Sequence, residues 1–372
     1  MKFNCAIRSG LVKLSAIFSD NMILQANKPV YVFGEGKGKI TVEIQGKSVS
    51  YVSNNENWLV ELPSFDYGGP YVMMVNLDGD IKVFNDIYFG DVYLLSGQSN
   101  NQFKLWQTNT PEENYKDNDS IRLFTVDRLE NQGKHVLTED GWKTLSKNGD
   151  IINLQGEHYG SKDGWIVAQK DEVGFWPALG YLLGDILTQK SDRKIGLIAC
   201  YQGASVIQSW LPKHYLDNTE FFVPLEKRSL NARKPLYSAW NGDGMLYEGM
   251  IEKIIPFSFK AVVWYQGESN FNGEDSKCDI YAGILKMLVE KWREDFKDNN
   301  LPFIIVQIHD YAYSLNLEGS GWRDIQKAQE VVCETVNDAY LVKSADICET
   351  NNIHPPTKLP LAKRIADVVS RF

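Results

Sequence analysis

The segment Asp91–Asn101, DVYLLSGQSNN, decides how the chain is read. An apolar run, Val92 to Leu95, stops abruptly at Ser96-Gly97-Gln98-Ser99-Asn100. That pattern predicts a buried strand entering a tight turn, with one hydroxyl presented at the tip. Esterases expose a nucleophile in this way, because a sharp strand-to-turn bend lifts Oγ clear of the backbone while nearby amides face the same point. Serine-rich turns also occur without any chemistry, so the rest of the chain has to supply the partners.

Downstream of Gly90, buried-strand runs alternate with amphipathic segments. The runs are Tyr93–Leu95, Ile121–Val126, Ile195–Cys200, Ala261–Tyr265, Phe303–Ile308 and Tyr340–Val342. The spacing predicts helices over Ala178–Gln189, Gly244–Ile255, Ile280–Phe296, Asp324–Val336 and Lys358–Ser370. In the third, Ile284, Leu288 and Trp292 recur at helical spacing, with Lys, Glu and Arg on the outer face. Strand–helix alternation of this kind implies an α/β fold with a mostly parallel sheet covered on both sides. The polar segment Thr108–Gly174 reads as long loops around one strand.

Upstream the pattern differs. Val30–Phe33, Ile40–Ile44, Val49–Val52, Trp58–Leu62 and Tyr71–Val75 alternate with period two, and turn signals such as Gly34-Glu35-Gly36 and Gly68-Gly69-Pro70 separate them. Short alternating runs at such intervals predict an antiparallel β-sandwich. The expected organisation is therefore a small N-terminal β-sandwich, residues 11–89, before a catalytic domain, residues 90–372.

Composition narrows the function classes. With 372 residues, 43% of them hydrophobic and 23% charged, the chain can bury a sizeable core. A formal net charge of −9 argues against a nucleic-acid partner, which needs clustered Lys and Arg. No apolar run is long enough to predict a membrane span. Lys2, Arg8 and Lys13 interrupt the N-terminal segment, so it lacks the continuous apolar centre of a signal peptide. Cys5, Cys200, Cys278, Cys333 and Cys348 are scattered without a CxxC pair, and a reduced, cytoplasmic protein without disulfides or zinc is the expectation.

In an open α/β sheet, ligands lie beyond the carboxyl ends of the strands. There the chain places Gly97-Gln98-Ser99-Asn100, Tyr201-Gln202-Gly203-Ala204-Ser205, Gln266-Gly267-Glu268-Ser269-Asn270 and, after the last strand and a loop, Asn351-Asn352-Ile353-His354-Pro355-Pro356. A hydroxyl, a small-residue turn, a carboxamide-rich turn and an imidazole are the parts that acyl transfer needs. Each has a plainer reading. Gly203 also fits a turn glycine, and Glu268 reads as a buried carboxylate bonded to backbone amides. His135, His158 and His214 lie in polar loops and read as solvated, while His309 competes with His354 for the role of general base.

With these residues in view, the chain resembles the sialate O-acetylesterase (carbohydrate acetylesterase) family of the SGNH hydrolase superfamily. The resemblance rests on Leu14-Ser15-Ala16-Ile17-Phe18-Ser19-Asp20-Asn21-Met22-Ile23-Leu24-Gln25, Gly68-Gly69-Pro70-Tyr71, Gly90-Asp91-Val92-Tyr93 leading to Ser96–Asn100, and Gly203–Trp210. Trp264-Tyr265-Gln266-Gly267-Glu268-Ser269-Asn270 and Ile353-His354-Pro355 with Lys358 complete it. It implies a three-layer α/β/α, flavodoxin-like SGNH catalytic domain, with Ser99 as nucleophile and His354 as general base. The Ser99 and Gly203 amides would form the oxyanion hole, completed by the side chain of Asn270 or Gln266. It implies no metal or organic cofactor, and a small-molecule or oligosaccharide substrate.

The chain also departs from the family pattern. Asn101 stands where the family has methionine, and Gly203-Ala204-Ser205 replaces Gly-Gly-Thr. The acid that the superfamily carries two or three residues before the histidine is replaced by Asn352 and Asn351. Loss of that carboxylate from a triad can cost about four orders of magnitude in rate. Three outcomes follow: a Ser–His dyad supported by a backbone carbonyl or an asparagine, an acid folding back from Glu349 or Asp346, or a slow or inactive enzyme. The dyad is the reading favoured. The expected activity is deacetylation of sugar hydroxyls, O-acetylated sialic acid first and acetylated xylan or another glycan next. The rivals are a carbohydrate-binding protein on a weakened esterase scaffold and an esterase for other small esters.

Overall fold

The structure, a computed structural model, describes residues 12–127 and 164–372 and, by backbone alone, the strands within 134–152. Cys5, His158 and the N-terminal segment up to residue 11 lie outside the described residues, as does the side chain of His135.

The N-terminal strands are β1 (Lys13–Leu14), β2 (Ile23–Gln25), β3 (Val30–Glu35), β4 (Gly38–Ile44), β5 (Lys47–Ser53), β6 (Asn57–Leu62), β7 (Gly68–Leu77) and β8 (Asp80–Gly97). One antiparallel sheet has the order β1-β3-β6, while β4 pairs with β5 and β7, and β7 with the first half of β8. Period two is visible in the burial. Ile40, Val42 and Ile44 of β4 and Trp58, Val60 and Leu62 of β6 point into a common core, while Glu43 and Glu61 between them face outward.

Strand β8 runs unbroken for 18 residues, so the boundary placed between Phe89 and Gly90 falls inside a strand. Its first half pairs with β7, and from Asp91 onward it pairs with strands of the second part. Gly90 marks the crossover: a Cβ there would stand 2.2 Å from the Lys194 carbonyl oxygen. Asp80–Lys82 alternate little and are exposed, whereas Asp91–Gly97 are wholly buried, as expected of a strand covered on both faces.

The remaining strands are β9 (Asn118–Thr125), β10 (Lys134–Thr138), β11 (Gly141–Leu145), β12 (Ile151–Ile152), β13 (Ile166–Ala168), β14 (Ile195–Tyr201), β15 (Ala261–Tyr265), β16 (Phe303–Val306) and β17 (Ala339–Val342). The main sheet has the order β13-β9-β14-β8-β15-β16-β17, parallel throughout except for antiparallel β13. Helices Ala178–Lys190 and Leu359–Val369 pack together, as do Cys278–Asp295 and Trp322–Thr335. Ile284, Leu288 and Trp292 are all buried, and Trp292 meets Trp210 and Trp264 edge-on.

Two expectations need correction. The segment Thr108–Gly174 carries more than one strand: β10, β11 and β12 form a separate antiparallel sheet, and β13 edges the main one. Strands of two to five residues in a polar stretch are too short for their period to be read. The helix expected over Gly244–Ile255 forms over residues 245–254, but not as a regular α-helix: it widens to a π-helical turn at Tyr247–Ile251 and tightens to a 3-10 turn at Glu252–Ile254. Gly244, with φ +79°, lies against the Lys213 backbone and stands just before this helical stretch rather than within it.

The chain leaves β8, forms β9 and β14 on one side of it, and then crosses to β15 on the other. Such a switch point opens a crevice at the carboxyl ends of the strands, and the turns after β8, β14 and β15 meet there.

Candidate active site

Three strand ends are stitched into one floor. Gln98 N–H donates to the Tyr265 carbonyl (2.9 Å) after β8 and β15, and Gln202 N–H donates to the Gly97 carbonyl (3.0 Å) after β14. Gly97 has φ +128°, and a Cβ on it would stand 2.1 Å from the Tyr265 oxygen, so only glycine permits this approach. Gln98 is buried, and its Oε1 accepts from Gly267 N (3.4 Å), Ser269 N (3.2 Å) and Gln266 Nε2 (3.2 Å). The chain then makes one helical turn, Ser99–Gln102, with Ser99 as its first residue. The Ser99 N–H therefore has no acceptor within the helix. Gly203 approaches the same point, since a Cβ on it would be 3.9 Å from Ser99 Cβ. Neither the Ser99 nor the Gly203 N–H is bonded among the described residues.

The loop after β17 brings in the imidazole. His354 Nε2 lies 2.7 Å from Ser99 Oγ. Burial, reinforced by the nearby positive charge of Lys358, pushes the His354 pKa below its ordinary value, so the ring is neutral and can accept a proton. None of the acids or amides suggested for its second nitrogen reaches it. Asn352 Oδ1 accepts the His354 backbone N–H at 2.9 Å, Glu349 accepts from Thr357 N and Oγ1, and Asp346 pairs with Arg364 (2.6 Å). Among the described residues no carboxylate bonds His354 Nδ1.

A family model described as carbohydrate esterase, sialic acid-specific acetylesterase, matches residues 89–370. The chain belongs to this family of carbohydrate esterases. Sialate O-acetylesterase of Mus musculus is 25% identical over 409 residues, covering 94% of this chain and 71% of the mouse protein. The Homo sapiens protein of the same name is 25% identical over 393 residues, covering 95% and 69%. A solved carbohydrate acetylesterase from Xanthomonas citri superposes with a TM-score of 0.76 at 25% identity, covering 97% of this chain and 75% of that one. The protein is thus an esterase with a mixed α/β fold.

Beneath Ser99 the esterase carries a buried polar cluster that the sequence did not reveal. Asn100 Nδ2 donates to Glu268 Oε1 (2.6 Å) and to the Ile353 carbonyl (2.9 Å), while Lys358 Nζ donates to Asn100 Oδ1 (2.7 Å). A lysine only donates, so this contact fixes which end of the Asn100 amide is oxygen. Burial pushes Lys358 down to about 8 and raises the Glu268 carboxyl. The Lys358 ammonium faces the rings of Phe103 (5.2 Å) and Tyr265 (5.5 Å). The one available signal was Lys358 within the histidine block, and its burial depends on elements far away in sequence. Glu268 is buried as read, but its main partner is a side-chain amide of the serine turn.

Gln266 and Asn270 do not present a donor to Ser99. Gln266 Nε2 donates to Asn270 Oδ1 (2.8 Å), Ser205 O (3.0 Å) and Gln98 Oε1, and its Oε1 accepts from Tyr281 OH (2.7 Å). Asn270 Nδ2 donates to Asp275 Oδ2 (2.7 Å) and Gln208 Oε1 (3.1 Å), and its Oδ1 also takes Ile207 N–H (3.1 Å). Both amides have all their N–H groups engaged. They hold the turns together, with Asp275 and Gln208 as partners that sequence reasoning missed. Ala204, where the family has glycine, sits at φ +56°, a left-handed conformation that glycine adopts more easily. Asn101 is buried, donates to Ser96 O (2.6 Å), and leaves its Oδ1 without a partner among the described residues. His214 is exposed and bonds Asp217, while His309 is buried beside the His354 loop and does not reach Ser99. Among the described residues no group of three or more His, Cys, Asp and Glu is placed to hold a metal ion, and no helix is long and apolar enough to cross a membrane.

Proposed function

We propose that this esterase removes acetyl groups from sugar hydroxyls by acyl transfer through Ser99. The observation that carries the reading is the 2.7 Å contact between Ser99 Oγ and His354 Nε2, beside two backbone N–H groups with no partner among the described residues. His354 Nε2 takes the hydroxyl proton as Oγ attacks the acetyl carbonyl carbon. The Ser99 and Gly203 amides face the oxygen that gains negative charge. Collapse of the tetrahedral species breaks the bond to the sugar oxygen, which leaves with the proton from His354. Water then attacks the acetyl-serine, gives its proton to His354, and acetate departs as Oγ is reprotonated.

The substrate reading is O-acetylated sialic acid first, then acetylated xylan or another glycan. It is supported by the family description and by the names of the mouse and human relatives. The strands preceding Gly90 are read as a small β-sandwich bracing the catalytic sheet through the shared strand β8. The test is acetate release from O-acetylated sialic acid and from 4-nitrophenyl acetate, with wild type and S99A side by side. Serine-dependent release from the sugar supports the whole reading. Release from the model ester alone keeps the mechanism and overturns the substrate, and equal release by S99A overturns the mechanism.

A further inference from the structure

His309 follows β16 and is fully buried, with its ring beside Tyr311 and Trp322. Its Nε2 lies 2.9 Å from the Asn352 carbonyl. A carbonyl only accepts, so Nε2 carries the proton, and the lone pair is on Nδ1, which is buried without a partner among the described residues. Charging this ring would bury an N–H with no acceptor. Burial accordingly pushes the His309 pKa down to about 4. The next carbonyl along the loop, that of Ile353, is held by Asn100 Nδ2 at 2.9 Å, and the His354 N–H is held by Asn352 Oδ1 at 2.9 Å. Three consecutive residues ending at the imidazole are therefore fixed through their backbones, two of them by buried side chains from the ends of β16 and β8.

We propose that His309 is a positioning residue that, together with Asn100, orients His354 through the carbonyls of Asn352 and Ile353, supplying the alignment that a carboxylate would otherwise give. The proposal rests on His354 being the general base. A fixed backbone on the N-terminal side of His354 limits the directions its ring can take, and Ser99 Oγ is met in one of them. The Asn100 arm ties the same loop to the serine turn, so both partners are referenced to one buried frame. Misplacement by about 1 Å in such a frame can cost about a hundredfold in rate.

The test uses H309A, H309Q and H309N of the full chain, with H354A as reference, assayed on 4-nitrophenyl acetate and checked for folding by circular dichroism. A glutamine amide nitrogen reaches the position of Nε2, whereas an asparagine amide stops at that of Nδ1. H309A and H309N should lower kcat about tenfold or more with KM changed less than about twofold, and H309Q should recover most of the loss. If H309A does not fold, the Gln–Asn pair decides alone. Wild-type kcat in H309N, or H309Q as impaired as H309N, overturns the positioning role. Full activity in H354A would instead overturn the general base, a result distinct from either.

Discussion

Ser99 and His354 are 255 residues apart in sequence, and Oγ of one lies 2.7 Å from Nε2 of the other. The contact is made by two loops that share no sheet hydrogen bonds, one leaving β8 and one following β17. Asn100 links them, since it follows Ser99 and donates to the carbonyl that precedes His354. The hydroxyl and the imidazole are thus placed by the same buried amide, and Lys358 and Glu268 fix that amide in turn.

The pH profile follows from the state of His354. As the proposed base, His354 works only when neutral, and its pKa is lowered by burial and then by Lys358. Activity should therefore rise with pH through an inflection below the ordinary 6.5 and be level near neutrality. K358M removes one of the two lowering influences, so its inflection should move upward. A kcat/KM profile for both proteins checks this, and an unmoved inflection would remove Lys358 from the account.

Restoring an acid at position 352 should change little. Asn352 Oδ1 faces the His354 backbone N–H, and an aspartate can keep that bond without reaching the ring. N352D should change kcat by less than about threefold, the weight of an exposed charge pair, and raise the inflection by stabilising imidazolium. A gain of about a hundredfold would show instead that the missing carboxylate limits the rate.

Asn270 should matter for stability. N270A leaves the buried Asp275 carboxylate and the Ile207 N–H each short of a partner, at a cost of about 2–4 kcal/mol. Thermal unfolding should show a clear drop in Tm. A wild-type Tm with a large loss of kcat would return Asn270 to the oxyanion hole.

A204G should stabilise the fold. Ala204 holds φ +56°, which disfavours an L side chain by about 1–2 kcal/mol, partly offset by the entropy glycine loses on folding. A Tm gain of a degree or two is expected, read by calorimetry, and a fall in Tm would contradict it.

The apolar runs and their terminal turns were legible because a strand buried on both faces leaves an uninterrupted signature, as Val92–Leu95 and Ala261–Tyr265 do. Ser99, Gly203 and His354 could be placed near one another because α/β topology gathers strand ends. The directions of amide side chains could not. Gln266 and Asn270 turn away from Ser99 because Asp275, Gln208 and Tyr281 compete for their N–H and C=O groups, and no local pattern encodes that competition. Lys358 looks like a surface residue at a helix start, and only the packing of Phe103 and Tyr265 around it makes it buried. The continuity of β8 was missed because its alternation changes at Gly90, where its surroundings change from one-sided to two-sided cover.

The central claim is that His354 activates Ser99 without a carboxylate. It is tested most directly by treating wild type and H354A with a fluorophosphonate probe and locating the adduct by mass spectrometry. One adduct on Ser99 is predicted, with labelling at least about a thousandfold slower in H354A. Labelling of Ser99 at equal rates in both proteins, or no adduct on Ser99 in a preparation that releases acetate, would contradict it.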